Sequence, residues 1–226
     1  MKKSIIYFLL LFIPVANNAD ISDFQTIKNA TFTTYNLLNL AENGLSSDVF
    51  NFAIKGFMKL GNEGKLANKN IITIVDYSQS SNAKRLYVID LQNKKLLFHT
   101  YVAHGRNTGQ EFAKSFSNSE GSLKSSLGFF VTEHPVIGSH TGFGLLINGL
   151  EKGFNDNAER RSIIFHAAEY VSECFIKNNG RLGRSLGCPA LPPESNKQII
   201  ETIKGGTCLF IYNDDKDYLN HSALIK

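Results

Sequence analysis

Apolar and polar positions follow two different periods along the chain. Between residues 20 and 67 the apolar positions recur every three or four residues, which is typical of helices with one buried face. The clearest helix contains Val49–Met58, begins near a Ser-Asp pair that suits a helix N-terminus and ends near Gly61. A shorter helix is predicted before it, around Phe32–Leu38. We therefore expect residues 20–67 to form a helical N-terminal segment packed on the rest of the chain.

From residue 70 onward the pattern changes to short runs rich in β-branched and aromatic residues, separated by Gly, Ser and Asn. These runs are Ile71–Tyr77, Arg85–Leu91, Lys95–Ala103, Leu127–Thr132, Leu145–Gly149, Ser162–His166 and Thr207–Tyr212. Three polar residues separate the second run from the third, as in a hairpin. The pattern predicts a mainly β fold with helices, of the α+β class, built as a sandwich or barrel-like unit over residues 68–226.

One polar stretch, Gly105–Ser126, is long for a connection between strands. Long ordered loops in compact domains are often functional. We therefore expect this stretch to act as a lid or a substrate-binding loop.

The N-terminus has the pattern of a secretory signal peptide. Two lysines are followed by the apolar run Ile5–Pro14, and Ala19 offers a cleavage site, with Ala16 as an alternative. The run is about half the ~20 residues that a membrane-spanning helix needs. We therefore expect residues 1–19 to direct export to the periplasm or cell envelope, with the membrane involved only in that step.

Composition and charge narrow the class of protein. The 226 residues are 42% hydrophobic and 19% charged, which excludes a disordered chain and fits one domain. The formal charge of +4 is weak and dispersed, and no dense basic stripe is interleaved with aromatic residues. Nucleic acid is therefore not an expected partner.

The chain has three cysteines, Cys174, Cys188 and Cys208. In an exported protein an odd count leaves at least one thiol free or paired between molecules. Cys208 lies in an apolar run and Cys174 shows no distinctive motif, so both are interpreted as ordinary packing residues, with a disulfide between them left open. Cys188 is the candidate nucleophile.

The strongest local signal surrounds Cys188, in a Gly-Arg-Leu-Gly-Arg-Ser-Leu-Gly-Cys-Pro stretch, and His166 ends an apolar run upstream. A thiolate is the attacking species, and a neighbouring histidine is a base of suitable pKa. Arg181 and Arg184 would favour the thiolate or hold a substrate carboxylate. Gly187 permits close backbone approach, so its N–H and that of Cys188 would face a developing oxyanion.

Two other interpretations are weighed on the residues alone. The stretch is also compatible with a glycine-rich turn around a buried cysteine. A zinc hydrolase would draw on His104, His134, His140, His166 and Cys188. However, the sequence has no His-Glu-x-x-His and no Cys-x-x-Cys, so no metal is expected. A papain-like peptidase is disfavoured because its cysteine precedes its histidine in the chain.

Taken together, these residues resemble the murein L,D-transpeptidase catalytic domain family, of the YkuD type, which remodels peptidoglycan. His166 followed by Ser185-Leu186-Gly187-Cys188 is similar to the family's strand histidine and Ser/Thr-His-Gly-Cys motif. Further blocks occur in the family's order over about residues 48–212. These blocks are Val102–Arg106, Phe116–Asn118, Ser125–Phe130, Asn155–Ala158, Arg161 and Gly183–Pro189.

The resemblance implies a two-sheet, mostly β catalytic fold and a cysteine acyl-transfer mechanism without a cofactor. Cys188 would attack the bond between diaminopimelate and the terminal D-Ala of a peptidoglycan stem tetrapeptide. An amine of a second stem would resolve the thioester into a 3→3 cross-link, whereas water would make the enzyme a carboxypeptidase. His166 would serve as base and then acid, oriented by Ser185 or by a backbone carbonyl.

The sequence departs from the general motif at Leu186, where the family usually has histidine, and at Pro189. These departures leave the acceptor open: a stem amine, water or an envelope protein. A hydrolase that releases an attached envelope protein is a further alternative. The non-catalytic alternative is a peptidoglycan-binding domain, whose arginines would hold stem carboxylates. The oligomeric state is also left open.

Four residues are expected to bind the substrate: Arg184, Arg181, Arg161 and His104. For Arg161 the alternative is an ordinary surface ion pair with Asp156 or Glu159. For His104 the alternative is a loop histidine that is hydrogen-bonded to the backbone.

Overall fold

The computed structural model describes residues 29–226, so the predicted signal peptide and residues 20–28 lie outside the described residues. Residues 29–37 are helical (α1), and helix α2 spans Ser47–Asn62. The cap of α2 lies one residue earlier than the sequence indicates, because the Ser46 side chain accepts a hydrogen bond from the Val49 N–H. Among the helices of residues 29–226, none has the length and apolar character that crossing a membrane requires.

Helix α2 packs its apolar face on the rest of the chain. Val49, Phe50 and Ala53 are buried on that face. Gly56 allows the closest approach, since a Cβ atom there would lie 2.1 Å from Cζ of Phe129. The helix therefore lies directly against an aromatic ring of the sheet.

Eight strands follow, and they are joined into one sheet. They are β1 Ile71–Asp76, β2 Leu86–Asp90, β3 Lys95–Thr100, β4 Gly128–Gly138, β5 Gly142–Gly149, β6 Ile164–Ala167, β7 Ala190–Leu191 and β8 Cys208–Tyr212. Their order across the sheet is β3-β2-β1-β8-β4-β5-β6-β7. The remaining helices are α3 Glu173–Asn179, α4 Pro193–Ile203 and α5 Lys216–His221. The predicted mainly β fold with helices is confirmed.

The sheet is continuous, where two sheets were expected, because β4 joins its two halves. The first part of β4, Gly128–Val131, pairs antiparallel with β8. The same strand pairs with β5 along most of its 11 residues, with a register irregularity between Thr132 and Pro135. One long irregular strand thus connects the central strands to the short strands β6 and β7.

The centre of the sheet is buried on both faces. Every residue of β1 and β8 is buried, and these two strands run parallel. Parallel pairs covered on both faces read as continuous apolar runs, which is the pattern of both segments. Helix α4 contributes Ile199, Ile200 and Ile203 to this core. The core therefore provides a rigid support from which β6 and β7 extend.

Candidate active site

The sheet brings the two candidate catalytic residues to neighbouring strands. His166 lies in β6 and is aligned with Ala190 of β7 in a parallel pair. Cys188 lies two residues before Ala190, in the turn that leads into β7. Within residues 29–226 the thiol and the imidazole make no direct hydrogen bond, and such contacts often shorten only when substrate binds.

The thiol of Cys188 is partly buried, with Sγ 3.9 Å from the Ser162 carbonyl oxygen. Burial raises the pKa of Cys188. The Ile164 N–H, the charge of Arg161 and the N–H of Cys188 itself act in the opposite direction by favouring the thiolate. Because burial prevails, the thiol needs a base to become a nucleophile at neutral pH.

The surroundings of His166 suit it to act as the base that deprotonates Cys188. Its Nδ1 lies 2.9 Å from the Ala167 carbonyl oxygen. A carbonyl only accepts, so Nδ1 carries the proton and Nε2 keeps its lone pair. Burial lowers the pKa of His166, which keeps the ring neutral at pH 7. Of the two orienting partners that the sequence left open, the structure has the backbone carbonyl.

Ser185 shapes the turn that carries the nucleophile. Its hydroxyl donates to the Cys188 carbonyl oxygen at 2.5 Å and accepts from the Gly187 N–H at 3.0 Å. Gly187 has a φ of +135°, a conformation that favours glycine. The Gly187 N–H is thus occupied, contrary to the expectation that it faces an oxyanion, and the Cys188 N–H remains for that role.

The long polar stretch is fixed to this turn by hydrogen bonds. Ser125 donates through its hydroxyl to the Gly187 carbonyl oxygen at 3.0 Å and accepts from the Gly105 N–H at 3.0 Å. The Ser125 N–H in turn donates to the Thr108 hydroxyl at 2.7 Å. Gly105 also forms an isolated bridge with Ser185. Residues 105–126 therefore form a wall of the site, held by the same turn that presents Cys188.

Arg161 organises the far end of this wall. Its guanidinium donates four hydrogen bonds to residues 117–126, two to carbonyl oxygens and two to hydroxyls. These acceptors are the Ser117 carbonyl, the Lys124 carbonyl, the Ser122 hydroxyl and the Ser126 hydroxyl. Within the described part of the chain it forms no ion pair with Asp156 or Glu159. Because these four hydrogen bonds go to the wall, few N–H groups of Arg161 remain to bind a substrate carboxylate.

His104 does not line the cleft, because its side chain is buried. Its Nδ1 accepts from Arg85 Nη2 at 2.8 Å, since guanidinium only donates. Burial and the Arg85 charge lower the pKa of His104 to about 3, so the ring is neutral. Arg85 is itself fully buried and donates to the Val102 carbonyl oxygen. The ring of His104 is thus not open to a substrate, contrary to the expectation that it binds one.

The two arginines of the cysteine motif contact backbone oxygens. Arg184 donates to the carbonyl oxygens of Arg106 and Gly109, both at 3.0 Å. Arg181 donates to the Leu182 carbonyl oxygen at 2.7 Å. Neither donates a hydrogen bond to Cys188 within residues 29–226. Their binding of substrate stays a prediction.

Two cavities lie near the catalytic pair, one lined by His166 and the other by Ser162, whose carbonyl oxygen is next to the thiol. The histidine-side cavity, about 310 Å³, is lined by His140, His166, Ala167, Ala168, Glu169 and Tyr170. The arginine-side cavity, about 290 Å³, is lined by Glu120, Gly121, Leu123, Arg160, Arg161, Ser162, Ile163 and Leu186. Most of these residues carry no motif, so the sequence offered no signal for them beyond the neighbouring arginines.

The other two cysteines lie apart in the fold and are free. Cys174 is exposed on α3, and Cys208 is buried in β8. The disulfide that the sequence left open is therefore not formed. Among residues 29–226 there is no group of three or more His, Cys, Asp or Glu side chains placed to hold a metal ion.

Comparison with known protein families identifies the family to which the chain belongs. A family profile described as the L,D-transpeptidase catalytic domain matches residues 41–212, well over half of the chain. The chain therefore belongs to the L,D-transpeptidase catalytic domain family, which confirms the resemblance drawn from the sequence. No curated protein matches the chain.

Similar solved structures are distant in sequence. An L,D-transpeptidase from Mycobacterium smegmatis has 9% identity and a TM-score of 0.40, with 64% of this chain and 59% of that chain covered. L,D-transpeptidase 1 from Mycobacterium tuberculosis has 11% identity and a TM-score of 0.37, with 64% and 62% covered. An L,D-transpeptidase from Stackebrandtia nassauensis has 16% identity and a TM-score of 0.39, with 74% and 67% covered. The chain thus spans less than two thirds of the first two relatives.

Proposed function

We propose that the protein is an exported cysteine acyltransferase that acts on peptidoglycan stem tetrapeptides. The observation that carries this proposal is the pairing of β6 with β7, which sets a neutral His166 beside the turn of Cys188 in an L,D-transpeptidase domain. Residues 1–19 have the pattern of a signal peptide, and export would bring the site to the cell wall.

In the first half of the reaction the donor stem is cleaved. His166 Nε2 accepts the proton of the Cys188 thiol, and the thiolate attacks the carbonyl carbon of diaminopimelate. The Cys188 N–H stabilises the oxyanion of the tetrahedral intermediate. As the C–N bond breaks, His166 returns the proton to the leaving amine of D-Ala. The stem is left as a thioester on Cys188.

In the second half an acceptor resolves the thioester. An amine of a second stem loses its proton to His166 Nε2 and attacks the thioester carbon, which forms a 3→3 cross-link. The C–S bond breaks and His166 returns the proton to the sulfur of Cys188. The acceptor must approach the base, so the histidine-side cavity is suited to hold it. Water in the same place would give a carboxypeptidase.

The test is turnover of disaccharide-tetrapeptide muropeptides by the purified protein, followed by mass spectrometry. We expect cross-linked dimers or released D-Ala, and their ratio separates transpeptidase from carboxypeptidase. Cys188→Ala should give no product, while Cys174→Ser, which changes an exposed thiol on α3, should behave as the wild type.

Two outcomes would contradict the proposal. Product formed equally by Cys188→Ala would exclude this thiol as the nucleophile. Binding of muropeptides by wild-type protein without any product would indicate a peptidoglycan-binding domain instead.

A further inference from the structure

Residues 102–106, which we call the clamp segment, are hydrogen-bonded to the turn that carries Cys188. On the N-terminal side of the cysteine, the Ser185 N–H donates to the His104 carbonyl oxygen at 3.0 Å. The Arg106 N–H donates to the Ser185 carbonyl oxygen at 2.8 Å. The start of the turn is therefore held by two backbone hydrogen bonds from the clamp segment.

The clamp segment also holds the chain beyond the cysteine. Ala103 and Ala190 exchange two backbone hydrogen bonds, of 2.9 and 3.2 Å, in an antiparallel bridge. Ala190 is also the residue that is aligned with His166 in the pairing of β6 with β7. Both ends of the turn are thus bonded to one short segment, and a displacement of that segment would move Cys188 relative to His166.

A fully buried arginine, Arg85, contacts the clamp segment at two places. Its Nε and Nη2 both donate to the Val102 carbonyl oxygen, at 3.2 and 3.0 Å, and Nη2 also lies 2.8 Å from His104 Nδ1. Its Nη1 donates to the Gln79 carbonyl oxygen at 2.8 Å. The other ring nitrogen of His104, Nε2, has no hydrogen-bond partner among residues 29–226. The contact with Arg85 is therefore the hydrogen bond that orients the ring.

Tyr77 provides a second connection between Arg85 and the clamp segment. The guanidinium carbon of Arg85 lies 4.8 Å from the centroid of the Tyr77 ring, within the range of a cation–π interaction. The Tyr77 hydroxyl donates to the Ala103 carbonyl oxygen at 3.1 Å, and this side chain is also fully buried. Arg85 thus holds the clamp segment both directly and through an aromatic ring that is bonded to it.

The charge of Arg85 is unusual for a side chain that serves stability alone. Burial lowers its pKa to about 10, so the guanidinium stays charged at neutral pH. Within residues 29–226 it forms no ion pair. Apolar side chains of similar volume often stabilise a core better than a buried charge does. The directional hydrogen bonds of Arg85 therefore indicate a role in positioning the backbone.

We propose that Arg85 is a positioning residue for the nucleophile: it holds the clamp segment and, through that segment, fixes Cys188 relative to His166. Its effect on turnover rests on the proposed function, whereas its effect on the position of the thiol does not. A displaced thiol would lose the Ile164 N–H, which favours the thiolate, so its pKa would rise. The pH profile of Cys188 alkylation by iodoacetamide therefore reports the position of the thiol without any substrate.

The first test removes one contact of Arg85 without changing a charge. Because the His104 ring is neutral, His104→Leu removes the acceptor alone, whereas His104→Asn places an amide oxygen near the position of Nδ1. His104→Leu should lower kcat by about 10-fold with KM nearly unchanged, and should move the alkylation profile of Cys188 to higher pH. His104→Asn should restore most of kcat and the wild-type alkylation profile.

The larger change is Arg85→Met, which removes every hydrogen bond from this side chain to the clamp segment. We expect kcat to fall by about 100-fold, as for a misplaced catalytic group, and the alkylation profile to move in the same direction. The matched control is Lys84→Met, which removes a positive charge from the adjacent, exposed residue and should behave as the wild type. Urea denaturation of each variant separates a loss of position from a loss of stability.

Two outcomes would overturn the inference. In the first, His104→Leu and Arg85→Met are less stable, but their folded molecules keep the wild-type kcat and alkylation profile, which would make Arg85 purely structural. In the second, His104→Asn is as impaired as His104→Leu, which would mean that the acceptor for Arg85 is not what matters. If Arg85→Met does not fold, the comparison of the two His104 variants decides between positioning and structure.

The alkylation measurement also separates this inference from the proposed function. If His104→Leu shifts the alkylation profile in a protein that cleaves no stem tetrapeptide, the inference stands and the proposed function fails. If the wild type cleaves the stem while every variant keeps its kcat and its alkylation profile, the proposed function stands and the inference is wrong.

Discussion

The centre of the sheet and its active-site end are held together by different forces. In β1 and β8 every residue is buried, and apolar residues of α2 and α4 belong to the same core. At the other end β6 has four residues and β7 only two. There the turn of Cys188 is fixed by hydrogen bonds from Ser185, Ser125 and the residues of the polar wall. Apolar packing thus determines stability, while directional contacts determine the position of the nucleophile.

Because of this difference, substitutions in the core and substitutions at the active-site end should have different effects on stability and turnover. A truncation in the core should unfold the protein without changing the chemistry of the folded molecules. A substitution in the hydrogen-bond network should reduce turnover while most of the apolar core, and therefore most of the stability, is retained.

The largest effect is expected in the core, for Phe210→Ala. Phe210 is fully buried and stacks on Phe129 with ring centroids 4.2 Å apart. The cavity should lower the free energy of unfolding by about 3–5 kcal/mol, measured by urea denaturation. Leu97→Ala on the partly exposed strand β3 is the control and should change it by less than about 1 kcal/mol. A Phe210→Ala protein of normal stability but without activity would contradict the view that core packing determines stability and hydrogen bonds determine the chemistry.

The next effect concerns Arg161, which is a positioning residue for the wall. Arg161→Lys keeps the charge but not four directed donors, so kcat should fall by about 100-fold, as for misplaced catalytic groups. The pH profile of Cys188 alkylation should change little, because the charge that favours the thiolate is retained.

Arg161→Met removes that charge as well and should move the alkylation profile to higher pH. Equal profiles for the lysine and methionine variants would show that Arg161 acts through loop position alone. Full turnover by either variant would exclude the positioning role.

A smaller effect is expected for Ser185→Ala. The substitution removes the donor to the Cys188 carbonyl and the acceptor for the Gly187 N–H. We expect kcat to fall by about 10-fold, corresponding to one or two lost hydrogen bonds, with Nδ1 of His166 still held by Ala167. A pH profile of kcat/KM identical in shape to that of the wild type would support this. A shifted acid limb would mean that Ser185 orients His166 after all.

The smallest expected effect is a displacement of the acid limb of the kcat/KM pH profile to lower pH. Burial lowers the pKa of His166, so the ring stays in its basic form to lower pH than an exposed histidine does. Activity should therefore be retained as the pH falls and be lost only below about pH 6.5, the ordinary histidine value. The acid limb of kcat/KM measures this directly. A limb at or above pH 6.5 would show that the base is not desolvated as described.

The sequence predicted those parts of the fold that consist of continuous apolar runs. The runs Ile71–Tyr77 and Thr207–Tyr212 correspond to β1 and β8, because strands buried on both faces need apolar residues at every position. Strand β7 was not predicted, since Ala190–Leu191 is too short to show any period. The single sheet was also not predicted, because it depends on how β4 bends between two partners.

The candidate site, too, could be predicted only in part, because contacts between distant segments are not visible in the sequence. Cys188 and His166 stood out because few residue types supply a nucleophile and a base. The positioning role of Arg161 could not be predicted from the sequence, since its acceptors lie 35 to 44 residues away. His104 was expected to bind substrate, because its partner Arg85 belongs to a different strand region and the sequence gives no sign of their contact. Contacts between distant segments decide which polar residues are available to a ligand.

The central claim is that Cys188, activated by His166, forms a thioester with the donor stem. Its most direct test is the intact mass of the protein after rapid mixing with a stem tetrapeptide and acid quenching. The expected result is a single adduct of the tripeptide acyl group on Cys188, formed with release of D-Ala, absent in Cys188→Ala and much slower to form in His166→Ala. Release of D-Ala at the wild-type rate with no adduct at any time, or an adduct on Cys174, would contradict the account.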